Sequence, residues 1–202
     1  MIGVIDYRAG NTRSVLNALK AIDVPCLLTD SPSLLTDCDG VILPGVGSAK
    51  SAMDILNVKG LFKWLRETEK PVLGICLGMQ LLFDSSEEGN VTTLGIVPGR
   101  VRYLGRFEPR SFSRIPHMGW NRVNILRPTR LMNEIPAPPQ MYFAHSFAAG
   151  MKPGDSSPWA VGETDGFCAA VEKDNFFGVQ FHPEKSSRSG LQLLKNFEAI
   201  CR

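Results

Sequence analysis

Two short stretches hold the residue types that nucleophilic chemistry needs. Gly74-Ile75-Cys76-Leu77-Gly78-Met79-Gln80 has the pattern G-x-C-x-G, follows an apolar run at 72–75 entered through Pro71, and opens a helical pattern through Leu81, Leu82 and Phe83. A cysteine on a sharp strand-to-helix turn is the thiol form of a nucleophile elbow, which holds the reactive atom out at the carboxyl edge of a sheet. Gly74 and Gly78 matter sterically, because the strained turn brings neighbouring backbone close and residues without a Cβ leave room for it. At a helix N-terminus the Cys76 thiolate is favoured by unpaired N–H groups and the helix dipole, and the Leu77 N–H aims where an oxyanion would form.

A thiol nucleophile needs a base that takes its proton and returns it to the leaving group. The downstream stretch Gly178-Val179-Gln180-Phe181-His182-Pro183-Glu184-Lys185-Ser186 ends a strand-like run in His-Pro-Glu. Imidazole titrates near neutrality, so His182 suits that role. Glu184, two residues on, is spaced to bind the other ring nitrogen and fix its tautomer, and Pro183 stiffens the step between them. His117 and His145 lack a carboxylate at that spacing and are left out of the triad. The other cysteines, Cys26, Cys38, Cys168 and Cys201, are widely separated, with no C-x-x-C pairing or zinc-ligand spacing, and read as free thiols acting as small hydrophobes.

The elements that must position these groups alternate along the first half. Residues 2–6, 26–29, 40–43 and 72–75 read as strands, and 11–22 and 61–68 as helices with apolar residues at helical spacing, Asn11 or Thr12 capping the first. The run at 72–75 lacks the alternation of a half-exposed strand and belongs in a buried central position. After about residue 95 the texture changes to short β-like runs at 101–104, 123–126 and 141–145, separated by Pro and Gly. Residues 168–172 and 176–181 form a hairpin across Asp174-Asn175, and 189–201 closes the chain as a helix docked on the sheet. The fold class is therefore α/β: a mainly parallel central sheet flanked by helices, with additional short β segments in the second half. The expectation is one domain over residues 1–202, with the segment from about 100 to 130 as an insertion within it.

Composition narrows the partners. Of 202 residues 44% are hydrophobic and 21% charged, and a formal charge of +2 comes from nearly balanced acids and bases without a Lys/Arg run, which gives no reason to propose nucleic acid or a membrane surface. Asp6 interrupts the first apolar run, no basic region or cleavage site marks a signal peptide, and no apolar stretch is long enough to span a bilayer, so the expected location is cytoplasmic. The glycine loops follow neither G-x-G-x-x-G nor the Walker pattern, and nothing points to a metal or organic cofactor.

Together, the cysteine elbow and Phe-His-Pro-Glu-Lys-Ser closely resemble the class I (triad) glutamine amidotransferases, and within that class the stand-alone glutaminase subunits of histidine biosynthesis. Ile5-Asp6-Tyr7 with Gly10-Asn11, Leu43-Pro44-Gly45-Val46-Gly47, Pro116-His117-Met118-Gly119-Trp120-Asn121 and Tyr142-Phe143-Ala144-His145-Ser146 extend the resemblance over nearly the whole chain. The resemblance implies that Cys76, His182 and Glu184 form the triad, that Gln80 and Glu88 hold L-glutamine, and that the loop with Gly45, Val46 and Gly47 supplies a second oxyanion donor beside Leu77, through a peptide that flips. It also implies a partner, a cyclase or synthase subunit built as a (β/α)8 barrel in a heterodimer, which receives the ammonia and joins it to a phosphoribulosyl formimino nucleotide. Asn11, Trp120, Tyr142 and Lys185 match positions near that interface; read alone, they are a helix cap, a core aromatic, a strand aromatic and a solvated charge.

One departure bears on the acceptor. Arg8 stands where a glycine is expected before Gly10-Asn11, either as an exposed loop substitution or as part of a changed partner surface. Two other readings therefore stand beside the first: a paralogous glutaminase feeding a different synthase, such as one of surface-sugar amidotransfer, and a non-catalytic module that stabilises a partner.

Overall fold

The computed structural model describes residues 1–7, 11–107, 114–151 and 157–202; Arg8 and Gly10 lie outside the described residues. Parallel strands form the first half: β1 (Ile2–Ile5), β2 (Cys26–Thr29), β3 (Gly40–Leu43) and β4 (Val72–Ile75). Between and after them come α1 (Thr12–Ala21), α2 (Pro32–Thr36), α3 (Ala49–Val58), α4 (Leu61–Glu67) and the single turn α5 (Leu77–Gln80). Short strands follow: β5 (Ser85–Ser86), β6 (Val91–Thr92), β7 (Arg100–Tyr103), β8 (His117–Arg122), β9 (Asn124–Ile125), β10 (Gln140–His145) and β11 (Phe147–Ala149). The chain ends with β12 (Ala160–Thr164), β13 (Phe167–Lys173), β14 (Phe176–Val179) and α6 (Ser187–Ile200).

The large sheet runs β2-β1-β3-β4-β14-β13-β12-β9. The pairs from β2 through β14 are parallel, and those beyond β14 are antiparallel. Its central strands are buried on both faces. Ile2, Val4, Ile42, Leu73 and Ile75 pack on one side with α1 and α6, while Ile5, Val41, Leu43 and Val72 pack on the other with α3 and α4. Two buried faces explain why these strands read as unbroken apolar runs. The mainly parallel α/β architecture expected from the sequence is thus present, and so is the hairpin: β13 and β14 pair antiparallel across a turn in which Asp174 takes φ 55°.

Two expectations about helices need correction. The helical pattern through Phe83 stops after one turn. The carbonyls of Leu81, Leu82 and Phe83 accept from the N–H groups of Leu94, Ile96, Val97 and Gly95 instead of from residues further along a helix. In the segment from about 100 to 130, β7 joins the four-stranded sheet β11-β7-β5-β6, β8 pairs with β10, and β9 edges the large sheet. The terminal helix starts at Ser187, two residues before the expected position.

The elbow is where the packing is tightest. A Cβ on Gly78 would lie 1.8 Å from the Leu43 carbonyl oxygen, and one on Gly74 would lie 2.7 Å from the backbone of Gly78 and Met79. By contrast Gly60, with φ +70°, has open space around it. Overpacking against backbone that cannot give way reaches about 3 kcal/mol or more, whereas a left-handed non-glycine costs about 1–2 kcal/mol. Gly78→Ala should therefore lower the urea midpoint far more than Gly60→Ala at an unchanged m-value; equal effects would mean that the backbone at the elbow yields.

Candidate active site

The site is made at the carboxyl ends of two adjacent parallel strands. β4 and β14 pair with Gly74 opposite Gly178 and Ile75 opposite Val179, and the ladder continues one step further as the Cys76 N–H donates to the Val179 carbonyl at 2.8 Å. There β4 turns sharply: Cys76 takes φ 54°, ψ −108°, strained for a side-chain-bearing residue, before Leu77 starts α5. Beyond Val179, the other strand carries Gln180, Phe181 and His182 toward the same edge.

His182 and Glu184 meet as their spacing predicts, with Nδ1 and Oε1 2.8 Å apart and both side chains nearly inaccessible, at 3% and 1% exposure. Cys76 and Glu184 are the two groups that act on the imidazole. Burial of the imidazole pulls its pKa down, but the hydrogen bonds and negative charges of Cys76 and Glu184 outweigh that effect and raise it to about 10. These surroundings favour the protonated imidazole. The Glu184 Oε1 atom also accepts from Asn11 Nδ2 at 3.1 Å, and Oε2 is buried without a hydrogen-bond partner among the described residues.

Cys76 opens into a pocket of about 240 Å³ whose wall includes Val46, Gly47, Leu77, Gln80 and Glu88. The expected oxyanion loop and both expected glutamine-binding residues therefore share one cavity with the thiol. Gly45 lies directly against the elbow, since a Cβ there would meet Gly78 N and Leu77 Cβ at 2.7 Å, and Gly47 takes φ +97°, a conformation that favours glycine. The buried Tyr7 hydroxyl donates to the Pro44 carbonyl at 2.5 Å, fixing the loop's entry; burial raises the pKa of this phenol and keeps it a donor. Glu88 accepts from the Ala49 N–H at 2.9 Å at the start of α3, and its pKa is raised by burial against the lowering effect of that bond.

The Gln80 amide nitrogen donates both to the Phe147 carbonyl at 2.7 Å and to Gln180 Oε1 at 3.0 Å. With both hydrogens committed, Gln80 has a carbonyl oxygen left to offer a ligand, an acceptor suited to an ammonium group. His145 lies in the same wall but is no triad base: burial, with the nearby His117 and His182, brings its pKa to about 3 against the raising effect of its bond to the Phe147 carbonyl. It is a neutral ring with Nδ1–H on that carbonyl at 2.9 Å and Nε2 3.3 Å from His117 Nδ1.

Three of the four expected interface residues come together. Trp120 and Tyr142 are paired across β8 and β10 with ring centroids 6.1 Å apart, and the Lys185 ammonium lies 6.0 Å above the Tyr142 ring. Trp120 is 53% exposed, so it is not a core aromatic. Asn11 departs from the group by bonding Glu184, and its side chain makes no capping bond to α1. Sequence reasoning missed Gln180, Tyr7 and the role of Asn11. For Gln180 a signal was present, because it is a polar amide inside the apolar run 176–181 and lies two residues before His182, the spacing that shares a strand face.

Comparison with known proteins places the chain in a family. The family model described as glutamine amidotransferase class-I matches residues 3–200, and the chain belongs to that family. Within it the similarity runs to subunit HisH of imidazole glycerol phosphate synthase. The chain is 44% identical to that of Desulfovibrio desulfuricans, covering all of this chain and 95% of the relative, and 45% identical to that of Synechocystis, covering 97% and 94%. Among solved structures, a glutamine amidotransferase superposes with a TM-score of 0.74 at 16% identity over 99% of this chain and 98% of that one. A chain of PurLQS from Thermotoga maritima gives 0.69 at 19% over 100% and 98%. At such identities the structures show the shared fold. No helix among the described residues is long and apolar enough to cross a membrane.

The geometry fixes two expected outcomes. An orienting group is partly replaceable and a proton carrier is not, so Glu184→Gln should retain more glutamine hydrolysis than His182→Ala; a reversed order in folded variants would reassign the roles. The second concerns stability. An imidazolium that keeps its proton to about pH 10 when folded but loses it near pH 6.5 when unfolded stabilises the fold fully below about pH 6.5 and progressively less as pH rises toward 10. The gap in urea midpoint between wild type and His182→Ala should therefore narrow from about pH 6 to about pH 10, and a pH-independent gap would mean a neutral ring.

Proposed function

We propose that this chain is the glutaminase subunit of an imidazole glycerol phosphate synthase, hydrolysing L-glutamine to glutamate and ammonia and passing the ammonia to a cyclase subunit built as a (β/α)8 barrel. The observation that carries the reading is the placement of Cys76 and of the bonded pair His182 and Glu184 beyond the ends of two adjacent parallel strands, with Cys76 alone of the three lining the pocket that Gln80 and Glu88 share. The full-length similarity to HisH subunits supports the choice of synthase.

In the proposed cycle Cys76 Sγ attacks the side-chain amide carbon of glutamine, and the tetrahedral oxyanion is received by the Leu77 N–H and a donor from the loop at Gly45, Val46 and Gly47. His182 gives its proton to the departing amine, a thioester remains on Cys76, and water then releases glutamate with His182 as base. Glu184 holds the imidazole throughout.

The face for the synthase partner is supplied by β8 and β10. Met118 and Trp120 are 64% and 53% exposed, with Lys185 and Tyr142 beside them. This face is tied to the site through backbone: Tyr142 accepts from the His182 N–H at 2.8 Å and donates to Ser186 Oγ at 3.0 Å, and Ser186 Oγ donates back to the His182 carbonyl at 2.7 Å. A partner pressing on Tyr142 therefore acts on the segment that carries the base.

Steady-state glutaminase kinetics on the chain alone, with the cyclase, and with cyclase plus its nucleotide acceptor test the proposal. Turnover should rise mainly in kcat at each step. Completing an oxyanion hole is typically worth about 2.7–4 kcal/mol, roughly 10² to 10³ in rate. Cys76→Ala should abolish hydrolysis while still co-purifying with the cyclase. Equal kcat in all three conditions would leave an independent glutaminase, and hydrolysis surviving in Cys76→Ala would remove the nucleophile.

A further inference from the structure

We infer that Gln180 acts directly on the nucleophile, its side-chain N–H donating to the Cys76 sulfur and favouring the thiolate, with Gln80 holding the amide in that orientation. The inference rests on Cys76 being the nucleophile. Gln180 is fully buried, and its Nε2 lies 3.6 Å from Cys76 Sγ.

The direction of the amide follows from its neighbours. A glutamine side chain can be turned over at little steric cost, so its orientation has to be read from what it meets. The anchor is the Phe147 carbonyl, which can only accept; Gln80, 2.7 Å away, must therefore turn its NH₂ group toward it. The same nitrogen lies 3.0 Å from Gln180, so Gln180 must present its oxygen there. That leaves its NH₂ group facing the sulfur. On the main chain, the Gln180 N–H donates to the Ala169 carbonyl at 2.9 Å, which pins the residue to β13.

The chemistry needs such a donor. When the Cys76 proton passes to His182, negative charge appears on the sulfur of a residue that is only 6% exposed, and burial opposes that charge unless something donates to it. The imidazolium contributes from one direction. Gln180 contributes from the strand beside it without adding a charge, so it does not compete with His182 for the proton. Gln80, which lines the pocket, joins this network to the space where substrate binds.

The test is the pH dependence of Cys76 alkylation by iodoacetamide in the full-length protein, with the modified residue identified by peptide mass spectrometry. Wild type is compared with Gln180→Met, which removes the donor at similar length, and Gln180→Glu, which keeps the shape but places oxygen against the sulfur. Hydrogen bonds to a charged group are strong enough that the midpoint for Cys76 should rise by about one to two pH units in Gln180→Met and further in Gln180→Glu. Glutaminase kcat should fall roughly tenfold or more at neutral pH. A purely structural role would lower thermal stability and leave the midpoint in place, so an unshifted midpoint in either folded variant overturns the inference. Wild-type alkylation that does not favour Cys76 over Cys26 and Cys201 would instead overturn the nucleophile reading on which it rests.

Discussion

The close approach of the elbow to β3 is the constraint on which the site depends. Cys76 can leave β4 at a positive φ and still start α5 because Gly78 lets the new helical turn lie against the Leu43 carbonyl and Gly74 lets that turn fold back over its own strand. The register of β4 and β14 then decides what faces the sulfur, since Ile75 opposite Val179 brings Gln180 and His182 to the same edge. A shift of one residue would turn Gln180 and His182 to the opposite face. Packing that looks purely structural therefore determines whether a triad exists at all.

Much of this was legible in the sequence because the informative residues have few other uses. A cysteine between glycines after an apolar run, and His-Pro-Glu after another, identified the strands, the elbow and the pairing of His182 with Glu184. The parallel half was legible for the same physical reason: strands buried on both faces are unbroken apolar runs. The second half was harder. β8, with His117, Gly119 and Asn121, and β12, with Gly162 and Glu163, carry no clean alternation, and their pairing is set by partners distant in the chain. The end of α5 was also not readable locally, because what stops it is the capture of its next carbonyls by residues 94–97. The helix α3 was missed although Ala49, Ala52, Met53 and Leu56 have helical spacing, because its buried stripe is half alanine.

The site divides into a charged side and a neutral side. Behind the sulfur, His182 is raised by Cys76 and Glu184 and carries the positive charge. On the other side stand amides and neutral rings, Gln80, Gln180, and His145 with His117, while the carboxyl of Glu88 also lines the pocket. The neutrality of His145 is enforced, since burial is reinforced by two other histidines and its Nδ1–H is spent on the Phe147 carbonyl. A second cation there would stabilise a thiolate in the same way as His182 and would draw the proton away from the one base positioned to return it. Amides can donate to a developing anion without taking part in the titration.

The same economy bears on how a partner could govern the site. His182 receives its proton through its ring, but its position is set through its backbone, by Tyr142 and Ser186. Tyr142 also carries the ring that stands beside the exposed Trp120 and under Lys185. That aromatic face is therefore joined to His182 directly through backbone hydrogen bonds, while the Cys76 N–H is bonded to the Val179 carbonyl. The Cys76 backbone is thus tied to the sheet, whereas the His182 backbone is tied to the strand that carries the aromatic face.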